Sequence, residues 1–406
     1  MKRVFLCTLF VIFIIIASCS EKAKKEIRKV HYIDSPAEEN TSVPNLFSSK
    51  DKTLLSWLEM RDDTLAILYY AELKNGKWQA PREILKGTDW FVNWADFPMI
   101  TENKGQLLSH VLKKSSPDTY SYDIKLNILP RDSTNWITNL PLHTDETPTE
   151  HGFVTALPYK ADSFFISWLD GRNTLEKEDG SRGAMTLRAA EVSVNGEVSN
   201  EVVLDPSTCD CCQTTAAMTS NGPIVIYRDR TENEIRDMSI VRNVAGKWTA
   251  PKTIYPDNWL IKGCPVNGPK AASLGNDLAV AWFTAARNQP KVNLTFSNDG
   301  GLSFDDPIRI DDATAIGRVD VLLLEKGIAI VSWMQMEDKG AVLKAVKVDS
   351  SGNRGEAVLI SRLEGSRGTG FPQMELVGDK VYFAWTRVSE EGSHVKTAYV
   401  NADQFW

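Results

Sequence analysis

Short apolar runs that end in a large side-chain ring recur along the chain at nearly constant spacing. The seven runs occupy 54–57, 107–110, 165–168, 224–227, 279–282, 330–333 and 382–385. Their last residues follow one another at intervals of 51 to 59 residues. A repeat near 50 residues that is built from strand-like units is typical of β-propeller blades. The pattern therefore predicts an all-β propeller of about seven four-stranded blades, with six blades as the alternative.

Each repeat unit contains the same succession of strand-like segments. An irregular apolar stretch precedes the run, and two further strand-like segments follow it across turns that contain glycine or asparagine. These four segments, A to D, are what one blade requires. The seventh unit ends after its third segment, at 395–400, whereas residues 27–33 precede the first unit without a partner. We expect this N-terminal strand to complete the last blade, because closing the ring removes an open sheet edge.

The first residues follow the pattern of a lipoprotein signal peptide. Lys2 and Arg3 precede an apolar run, 4–17, that is too short to span a bilayer, and small residues then lead to Cys19. This ending resembles a lipobox, in which the cysteine becomes the lipidated first residue. The alternative is ordinary secretion, with Cys19 as a stray thiol.

These signals divide the chain into three parts. We expect a signal peptide at 1–18, a charged tether at 19–29 and a single propeller domain at 30–406. Lipidation would attach the protein to the bacterial cell envelope, at the outer membrane, and its only membrane contact would be the lipid.

Charge narrows the range of partners. Lys and Arg together number 46 and Asp and Glu number 53, which gives a net charge of −7. Because no basic patch stands out, nucleic acid is not an expected partner. We expect a monomer that binds a glycan or another small acidic ligand.

One turn carries a more specific motif. Residues 297–304 read Ser-Asn-Asp-Gly-Gly-Leu-Ser-Phe, which matches the Asp-box of sialidase-like propellers, Ser-x-Asp-x-Gly-x-x-aromatic. An aspartate can accept hydrogen bonds from backbone amides of its own turn, and the glycines permit unusual φ values. Degenerate copies stand at 75–78 and 245–248. Asp-boxes also occur in propellers without catalytic activity, so they indicate a fold and not a reaction.

The whole chain also resembles a group of uncharacterised bacterial sialidase-like proteins. The segments that carry this resemblance are 93–98, 150–154, 168–172, 209–212, 227–229, 236–237, 263–269 and 317–320. The resemblance implies the propeller fold and membership of the sialidase superfamily, but no particular reaction. Sialidases carry an Arg-Ile-Pro motif in the first blade, and this chain lacks it.

The order of strands in a blade sorts the candidate residues onto one face. The D–A and B–C connections emerge together at one mouth of the central channel, and the A–B and C–D turns emerge at the other. Ionisable, aromatic and sulfur-containing side chains concentrate in the D–A and B–C connections. Loops on a rigid scaffold commonly carry binding residues, so this mouth is the predicted ligand site.

Exo-sialidase chemistry requires residue types that this face supplies. It needs arginines that hold the substrate carboxylate, a tyrosine nucleophile activated by a carboxylate, and a second carboxyl as acid or base. Tyr122 with Glu150 is the candidate nucleophile pair and Asp96 is the candidate acid. The candidate substrate-binding residues are Arg172, Arg228, Arg236, Arg318, Arg367, His151 and Trp94. Such an enzyme would recognise and hydrolyse acidic glycans without a cofactor.

Two alternatives to this enzyme remain open, a non-catalytic propeller and a cysteine-rich metal or redox site. The protein could be a non-catalytic propeller that binds a protein or glycan partner, which the missing Arg-Ile-Pro motif favours. Individual Arg-Asp pairs such as Arg228 and Asp229 could join neighbouring blades as salt bridges instead of binding a ligand.

Four cysteines of the mature chain form a separate candidate site. Cys209, Cys211 and Cys212 lie within four residues, and Cys264 follows about one blade later. Disulfides are the expected state in an exported protein, and we expect one of them to involve Cys264. The alternative is a soft-metal site for Cu(I) or Zn²⁺, with His151 as a reserve ligand, and reduced thiols are the third possibility.

Overall fold

The computed structural model describes residues 29–405, and these form seven antiparallel sheets arranged as a seven-bladed β-propeller. The predicted seven-bladed, all-β fold is confirmed. The signal peptide, the lipidated Cys19 and all but the last residue of the tether lie outside the described residues. Among the residues that are described, no helix is long and apolar enough to cross a membrane.

The first four blades follow one another along the chain, each running from its innermost strand outward. Blade 1 consists of β2 (Thr41–Ser48), β3 (Thr53–Met60), β4 (Ala66–Lys74), β5 (Lys77–Trp78) and β6 (Arg82–Gly87), and blade 2 of β7 (Ile100–Asn103), β8 (Gln106–Lys114), β9 (Tyr122–Leu129) and β10 (Ile137–Pro141). Blade 3 consists of β11 (His151–Pro158), β12 (Ser163–Asp170), β13 (Thr186–Ser193) and β14 (Val198–Asp205). Blade 4 consists of β15 (Thr215–Thr219), β16 (Gly222–Arg228), β17 (Met238–Val244), β18 (Lys247–Trp248) and β19 (Lys252–Thr253).

The last three blades continue the ring, and three short 3-10 helices lie in their connections and at the C-terminal end. The strands are, in blade 5, β20 (Lys270–Leu274), β21 (Asp277–Thr284), β22 (Lys291–Ser297) and β23 (Ile308–Arg309); in blade 6, β24 (Thr314–Glu325), β25 (Ile328–Glu337), β26 (Gly340–Asp349) and β27 (Val358–Leu363); and in blade 7, β28 (Gln373–Val377), β29 (Lys380–Ser389), β30 (Gly392–Asn401) and β1 (His31–Ile33). The 3-10 helices are Ala286–Asn288, Arg367–Thr369 and Ala402–Phe405.

The last blade is completed by a strand from the other end of the chain. Strand β1 pairs antiparallel with β30, so that His31 lies opposite Tyr399 and Ile33 opposite Thr397. The aromatic rings of His31 and Tyr399 stack with centroids 4.7 Å apart. The prediction that the N-terminal segment closes the ring is therefore confirmed, and the outer edge of β30 is covered.

The repeated ring residues all lie in second strands and form much of the core between blades. Five of them are tryptophans that are 0 or 1% exposed: Trp57, Trp168, Trp282, Trp333 and Trp385. Burying such large side chains between sheets supplies the hydrophobic free energy that holds adjacent blades together. The indole N–H of Trp168, for example, donates to Asp170 at 2.9 Å, so its polar group stays satisfied inside the core.

His110 occupies the same position in blade 2 as these tryptophans. It is fully buried, and among the described residues neither of its ring nitrogens has a hydrogen-bond partner. Burial lowers the pKa of His110 to about 3, so the imidazole is neutral at physiological pH. His110 therefore acts as a small aromatic core residue, as its place in the repeat implies.

The turn at 297–304 lies between β22 and β23, on the face away from the predicted ligand site. Asp299 accepts hydrogen bonds from the Ser303 backbone N–H at 3.0 Å and from the Ser297 hydroxyl at 2.8 Å. A Cβ at Gly301 would lie 2.6 Å from Ile240 of the preceding blade, and Gly301 also has a φ of +81°. The turn can therefore pack against blade 4 only with glycine at this position.

Bulges in the innermost strands shape the other mouth of the channel. The pairing register shifts between Ser42 and Asn45 in blade 1, and there are similar shifts in β11 and β24. Inside these bulges Val43, Phe153 and Arg318 adopt positive φ values of +49°, +51° and +51°. A bulge turns the backbone of its strand away from regular pairing, and the Phe153 N–H is thereby free to bind Asp96.

Candidate functional site

A cavity of about 430 Å³ opens at the mouth formed by the D–A and B–C connections. Its polar lining residues include Asp96, Tyr122, Glu150 and Arg367, and Trp94 lies beside them. A larger depression of about 670 Å³ exists at the other end of the blades, between blades 1 and 2. That depression is bordered by turn residues such as Lys52 and Arg131 and contains no comparable group of buried acids, so the smaller cavity is the better candidate site.

Three of the cavity residues form one hydrogen-bonded group, here called the cavity triad: Asp96, Tyr122 and Glu150. The Tyr122 hydroxyl lies 2.8 Å from Glu150 Oε1 and 3.1 Å from Asp96 Oδ2. Tyr122 is the first residue of β9, whereas Asp96 and Glu150 come from the D–A connections that precede blades 2 and 3. The structure thus brings together the three residues that the sequence proposed as catalytic.

The cavity triad is surrounded by protein, and this changes the acidity of all three groups. Burial raises the pKa of Asp96 to about 7, despite the hydrogen bond from Phe153, and it raises the pKa of Glu150 to about 8. Burial and the two neighbouring carboxyl groups also hold the pKa of Tyr122 well above its ordinary value. Near neutral pH the two carboxyls can therefore hold and release protons, as acid–base catalysis requires.

Local packing fixes the cavity triad from three sides. The Tyr122 ring stacks on Phe91 with centroids 4.2 Å apart. The backbone N–H of Phe153 donates to Asp96 Oδ1 at 2.8 Å, from within the β11 bulge. A Cβ at Gly152 would lie only 1.9 Å from Asp96 Oδ2, so the close approach of Asp96 to β11 requires glycine there.

A second group of ionisable residues lies behind the cavity triad and is here called the buried ion network: Asp145, Asp170, Arg172, His143 and His151. Arg172 donates from Nε and Nη2 to the two oxygens of Asp170, both at 2.7 Å. His143 and His151 stack at 3.9 Å, and His143 Nδ1 lies 2.8 Å from Asp145. His151 Nδ1 reaches the backbone oxygen of Tyr122 at 3.2 Å, which connects the network to the cavity triad.

The carboxylates of the buried ion network are acidic, in contrast to those of the cavity triad. Burial alone would raise the pKa of Asp170, but hydrogen bonds from Arg172 and Trp168 outweigh it and the pKa is lowered. Burial is likewise outweighed at Asp145 by the Thr147 hydroxyl and by His151, so the pKa of Asp145 is lowered as well. Both groups are therefore carboxylates at neutral pH.

Three of the proposed substrate-binding arginines are bound to protein atoms. Arg172 belongs to the buried ion network. Arg228 is 2% exposed and donates to the backbone oxygens of Asn267, Phe283 and Arg236. Arg318 is 5% exposed, donates to two backbone oxygens, and lies 4.9 Å over the ring of Trp94.

The other two arginines differ from one another in exposure. Arg236 is 4% exposed, donates to Glu234 at 2.9 Å and contacts the sulfur of Cys209 at 3.2 Å. Arg367 is exposed and lines the cavity. The structure therefore does not bring the five arginines to one point, because most of them hold backbone carbonyls or carboxylates in place. Arg367 is the member of this set that lines the cavity with the triad.

The four cysteines lie beside the same cavity, with Cys211 and Cys264 in its wall. The Cys209 sulfur is 3.8 Å from the sulfurs of both Cys211 and Cys212, and all four residues are free cysteines. A disulfide has an S–S distance of about 2.05 Å. The disulfide expected from the sequence is therefore not formed in the structure.

Sequence reasoning did not identify several residues that shape the site. His143 and Asp145 lie two residues apart in the connection after blade 2, and this spacing in a D–A connection was their only signal. Phe91 supports Tyr122 by ring stacking, and an aromatic residue in a connection carries no sequence signal of the ring that it will contact. Gly152 carried no chemical signal, because its role depends on the position of Asp96 in space.

Comparison with known proteins identifies this structure at the level of the fold. No protein-family profile matches the sequence, and no curated protein sequence matches it. A PL25 ulvan lyase structure bound to -[GlcA(1-4)Rha3S]- superimposes with a TM-score of 0.56 at 10% identity, over 92% of this chain and 96% of that chain. The polysaccharide lyase Uly1 gives 0.53 at 11% identity over 94% of each chain. A protein of unknown function from Dyadobacter fermentans gives 0.51 at 13% identity, over 92% and 97%.

Proposed function

We propose that this propeller binds an acidic glycan in the 430 Å³ cavity and cleaves a glycosidic bond with the cavity triad. The observation that carries the proposal is the contact of one tyrosine hydroxyl with two buried carboxyl groups. A carboxylate beside a tyrosine can take the phenolic proton and so make the oxygen a nucleophile. Arg367 in the cavity wall supplies a cation for the acidic group of the substrate.

The hydrolytic step assigns one role to each member of the triad. Tyr122 Oη attacks the anomeric carbon while its proton passes to Glu150, and the bond from that carbon to the leaving oxygen breaks. The step starts from the state in which the two carboxyls hold one proton, on Asp96, while Glu150 is ionised, and Asp96 gives this proton to the leaving oxygen. Water then displaces Tyr122 from the sugar, its proton returns to Asp96, and Glu150 reprotonates the tyrosine.

A second candidate is elimination at a uronic acid unit, as in a polysaccharide lyase. Two of the similar solved structures are polysaccharide lyases, which makes this reaction class the alternative to hydrolysis. Here a base would remove the proton next to the uronate carboxyl, and a proton donor would protonate the leaving oxygen. The residues available for these roles are the same, so the products distinguish the two reactions: elimination leaves an unsaturated sugar that absorbs ultraviolet light.

The test compares Tyr122→Phe with Tyr159→Phe on two probes, an aryl sialoside and a sulfated glucuronate polysaccharide. Tyr159 is a matched control because it follows β11 at the opposite face and packs edge-on against Phe165. We expect Tyr122→Phe to lower kcat/KM by about 10³-fold or more, with the control unchanged. Wild-type turnover by Tyr122→Phe would refute the mechanism, and glycan binding without turnover in any variant would support the non-catalytic alternative.

We also propose that Cys19 carries a lipid that attaches the propeller to the cell envelope, on the strength of the N-terminal sequence alone. Cys19→Ser should move the protein out of the membrane fraction, since the acyl anchor is lost. Unchanged fractionation would refute this assignment.

A further inference from the structure

The four-cysteine cluster joins two separate connections of the ring. Cys209, Cys211 and Cys212 lie between β14 and β15, and Cys264 lies between β19 and β20. The sulfurs of the first three are all within 4.8 Å of one another, and Cys264 lies in the same cavity wall as Cys211. Three sulfur atoms of one connection thus converge on one small volume, and a fourth cysteine from the next connection lies beside them.

The distances fit a tetrahedral metal centre. With a zinc–sulfur bond of about 2.3 Å, neighbouring sulfurs of a tetrahedron are about 3.8 Å apart. The two measured distances from Cys209 Sγ, to Cys211 and to Cys212, are both 3.8 Å. Thiols in simple contact would have a similar separation, so the distances alone do not distinguish a metal site from packed thiols. The groups around the cluster provide the further evidence.

The surroundings are those of an anionic sulfur cluster. Arg236 donates to Cys209 Sγ at 3.2 Å, and the backbone N–H of Asn267 points to Cys212 Sγ at 3.4 Å. N–H donors of this kind stabilise thiolates that are bound to a metal. Arg228 lies beside the cluster, because its guanidinium donates to the backbone oxygen of Asn267, the residue whose N–H points to Cys212.

The buried Arg228 also needs a negative partner. Arg228 donates to three backbone oxygens and lies over the ring of Trp259, and no carboxylate of the described residues lies within 4.0 Å of it. A buried cation without an anion is costly. Four thiolates on a divalent ion carry a net charge of −2, which would balance the charge of Arg228.

We propose that Cys209, Cys211, Cys212 and Cys264 bind one thiophilic d¹⁰ cation, Zn²⁺ or Cu(I). Both ions take thiolate ligands, whereas Ca²⁺ and Mg²⁺ require oxygen ligands. A site with four protein ligands is closed, so its role is structural. The ion cross-links the connections before blades 4 and 5 and thereby fixes one wall of the cavity.

The neighbouring contacts indicate what this cross-link would hold in place. Gln213, directly after Cys212, donates to the backbone oxygen of Ala95 at 2.6 Å and accepts from the Gly268 N–H at 3.1 Å. Ala95 precedes Asp96 of the cavity triad. The metal site is thereby connected through one side chain to the loop that positions Asp96.

The experiment measures metal per chain in the full-length protein, purified without chelator and compared with Cys264→Ser and Cys211→Ser. Lys262→Ser is the matched control, because Lys262 is exposed in the same connection as Cys264 and carries no thiol. We expect about one equivalent of zinc or copper in the wild type and the control, and a loss of about tenfold or more in the two variants. The identity of the metal separates Zn²⁺ from Cu(I).

A second measurement keeps the result interpretable if a variant folds poorly. Wild-type protein loaded with Co²⁺ should show thiolate-to-metal charge-transfer absorption, which chelator removes while four thiols become reactive. Cys264 is exposed, so Cys264→Ser should keep the fold and lose most of this absorption. A wild type without metal after reduction and loading, a disulfide among the four, or metal retained in both variants would overturn the proposal.

Discussion

Glu150 and His151 are adjacent in the chain, yet their side chains belong to two groups with opposite electrostatics. Glu150 joins the cavity triad, where two carboxyls and a tyrosine share protons and the described residues place no cation in ion-pair contact with them. His151 joins the buried ion network, where Arg172 and the histidines stabilise Asp145 and Asp170 as carboxylates. Burial is common to both groups, so the difference comes from the partners.

The difference separates groups that can transfer protons from groups that hold the structure. A carboxyl whose pKa is raised to about 7 or 8 changes its protonation near neutral pH and can take part in chemistry. A carboxylate with a lowered pKa and a bidentate arginine stays ionised and contributes to stability. The following substitutions test this division, beginning with the largest expected effect.

Asp170→Asn should destabilise the fold more than any change in the cavity triad. Asp170 is fully buried and its two oxygens accept from Arg172 and Trp168, so the amide N–H group of asparagine would face these donors in place of an acceptor, while Arg172 keeps its longer ion pairs with Asp145 and Glu201. The expected loss is about 3–5 kcal/mol, measured by urea unfolding at pH 7. Asp162→Asn is the matched control, because Asp162 is exposed and should change stability by less than about 0.5 kcal/mol. Equal stabilities of the two variants would contradict the structural role of the network.

Asp96→Asn should change how stability depends on pH. The folded pKa of Asp96 is raised from 3.8 to about 7, so its contribution is fully present below pH 3.8 and is lost as pH rises through 7. Asparagine has the same shape and does not ionise. Relative to wild type, the variant should therefore gain about 2–4 kcal/mol between pH 4 and pH 8.5, measured by urea unfolding at both values. The contribution of Asp145 and Asp170 to the pH dependence of stability has the opposite sign. Their lowered pKa values give stability that is lost as pH falls below about 4. If the free energies of unfolding of Asp96→Asn and wild type changed in parallel with pH, the pKa of Asp96 would not be raised in the folded protein.

Thr147→Val should have the smallest effect and should sharpen the comparison within the network. The Thr147 hydroxyl donates to Asp145, and this bond is one cause of the lowered pKa of Asp145. Losing a hydrogen bond to a charged group should cost about 1–2 kcal/mol at neutral pH, read from thermal unfolding. Between pH 7 and the acidic range in which Asp145 becomes protonated, the difference should shrink. A constant difference across this range would mean that packing, and not charge, explains the loss.

The sequence was sufficient for the fold because the repeat is encoded in each blade separately. Seven apolar runs in register, one large ring per run and an unpaired N-terminal segment specify both the number of blades and the closing strand. None of these inferences needed a distance between residues far apart in sequence.

The site was predictable only as far as the topology sorts residues onto a face. Strand order brings Asp96, Tyr122 and Glu150 to one mouth, and their residue types suggested their chemistry. Whether a side chain is free to bind a ligand depends on its neighbours in space. Arg228 and Arg367 look alike in the sequence, but the first is held by three backbone oxygens and the second is exposed.

The same limit applies to the cysteines. Spacing showed that four thiols could meet, and the exported context favoured disulfides. Whether cysteines form a disulfide or bind one metal ion together depends on whether their sulfurs are about 2 Å or about 4 Å apart. The spacing of cysteines in the sequence does not encode this distance.

The closing strand has a consequence for how the protein is made. Residues 31–33 leave the ribosome among the first of the described chain, but Thr397, which donates its hydroxyl to the Ile33 carbonyl, lies 364 residues later. Blades 1 to 6 can each form from contiguous sequence as they emerge, whereas the last sheet must wait until synthesis is nearly complete. At typical translation rates this interval is about 20–70 s, during which both the first strand and the edge that receives it remain unpaired. The propeller ring therefore closes only when β1, the first strand of the described chain, pairs with β30, the last.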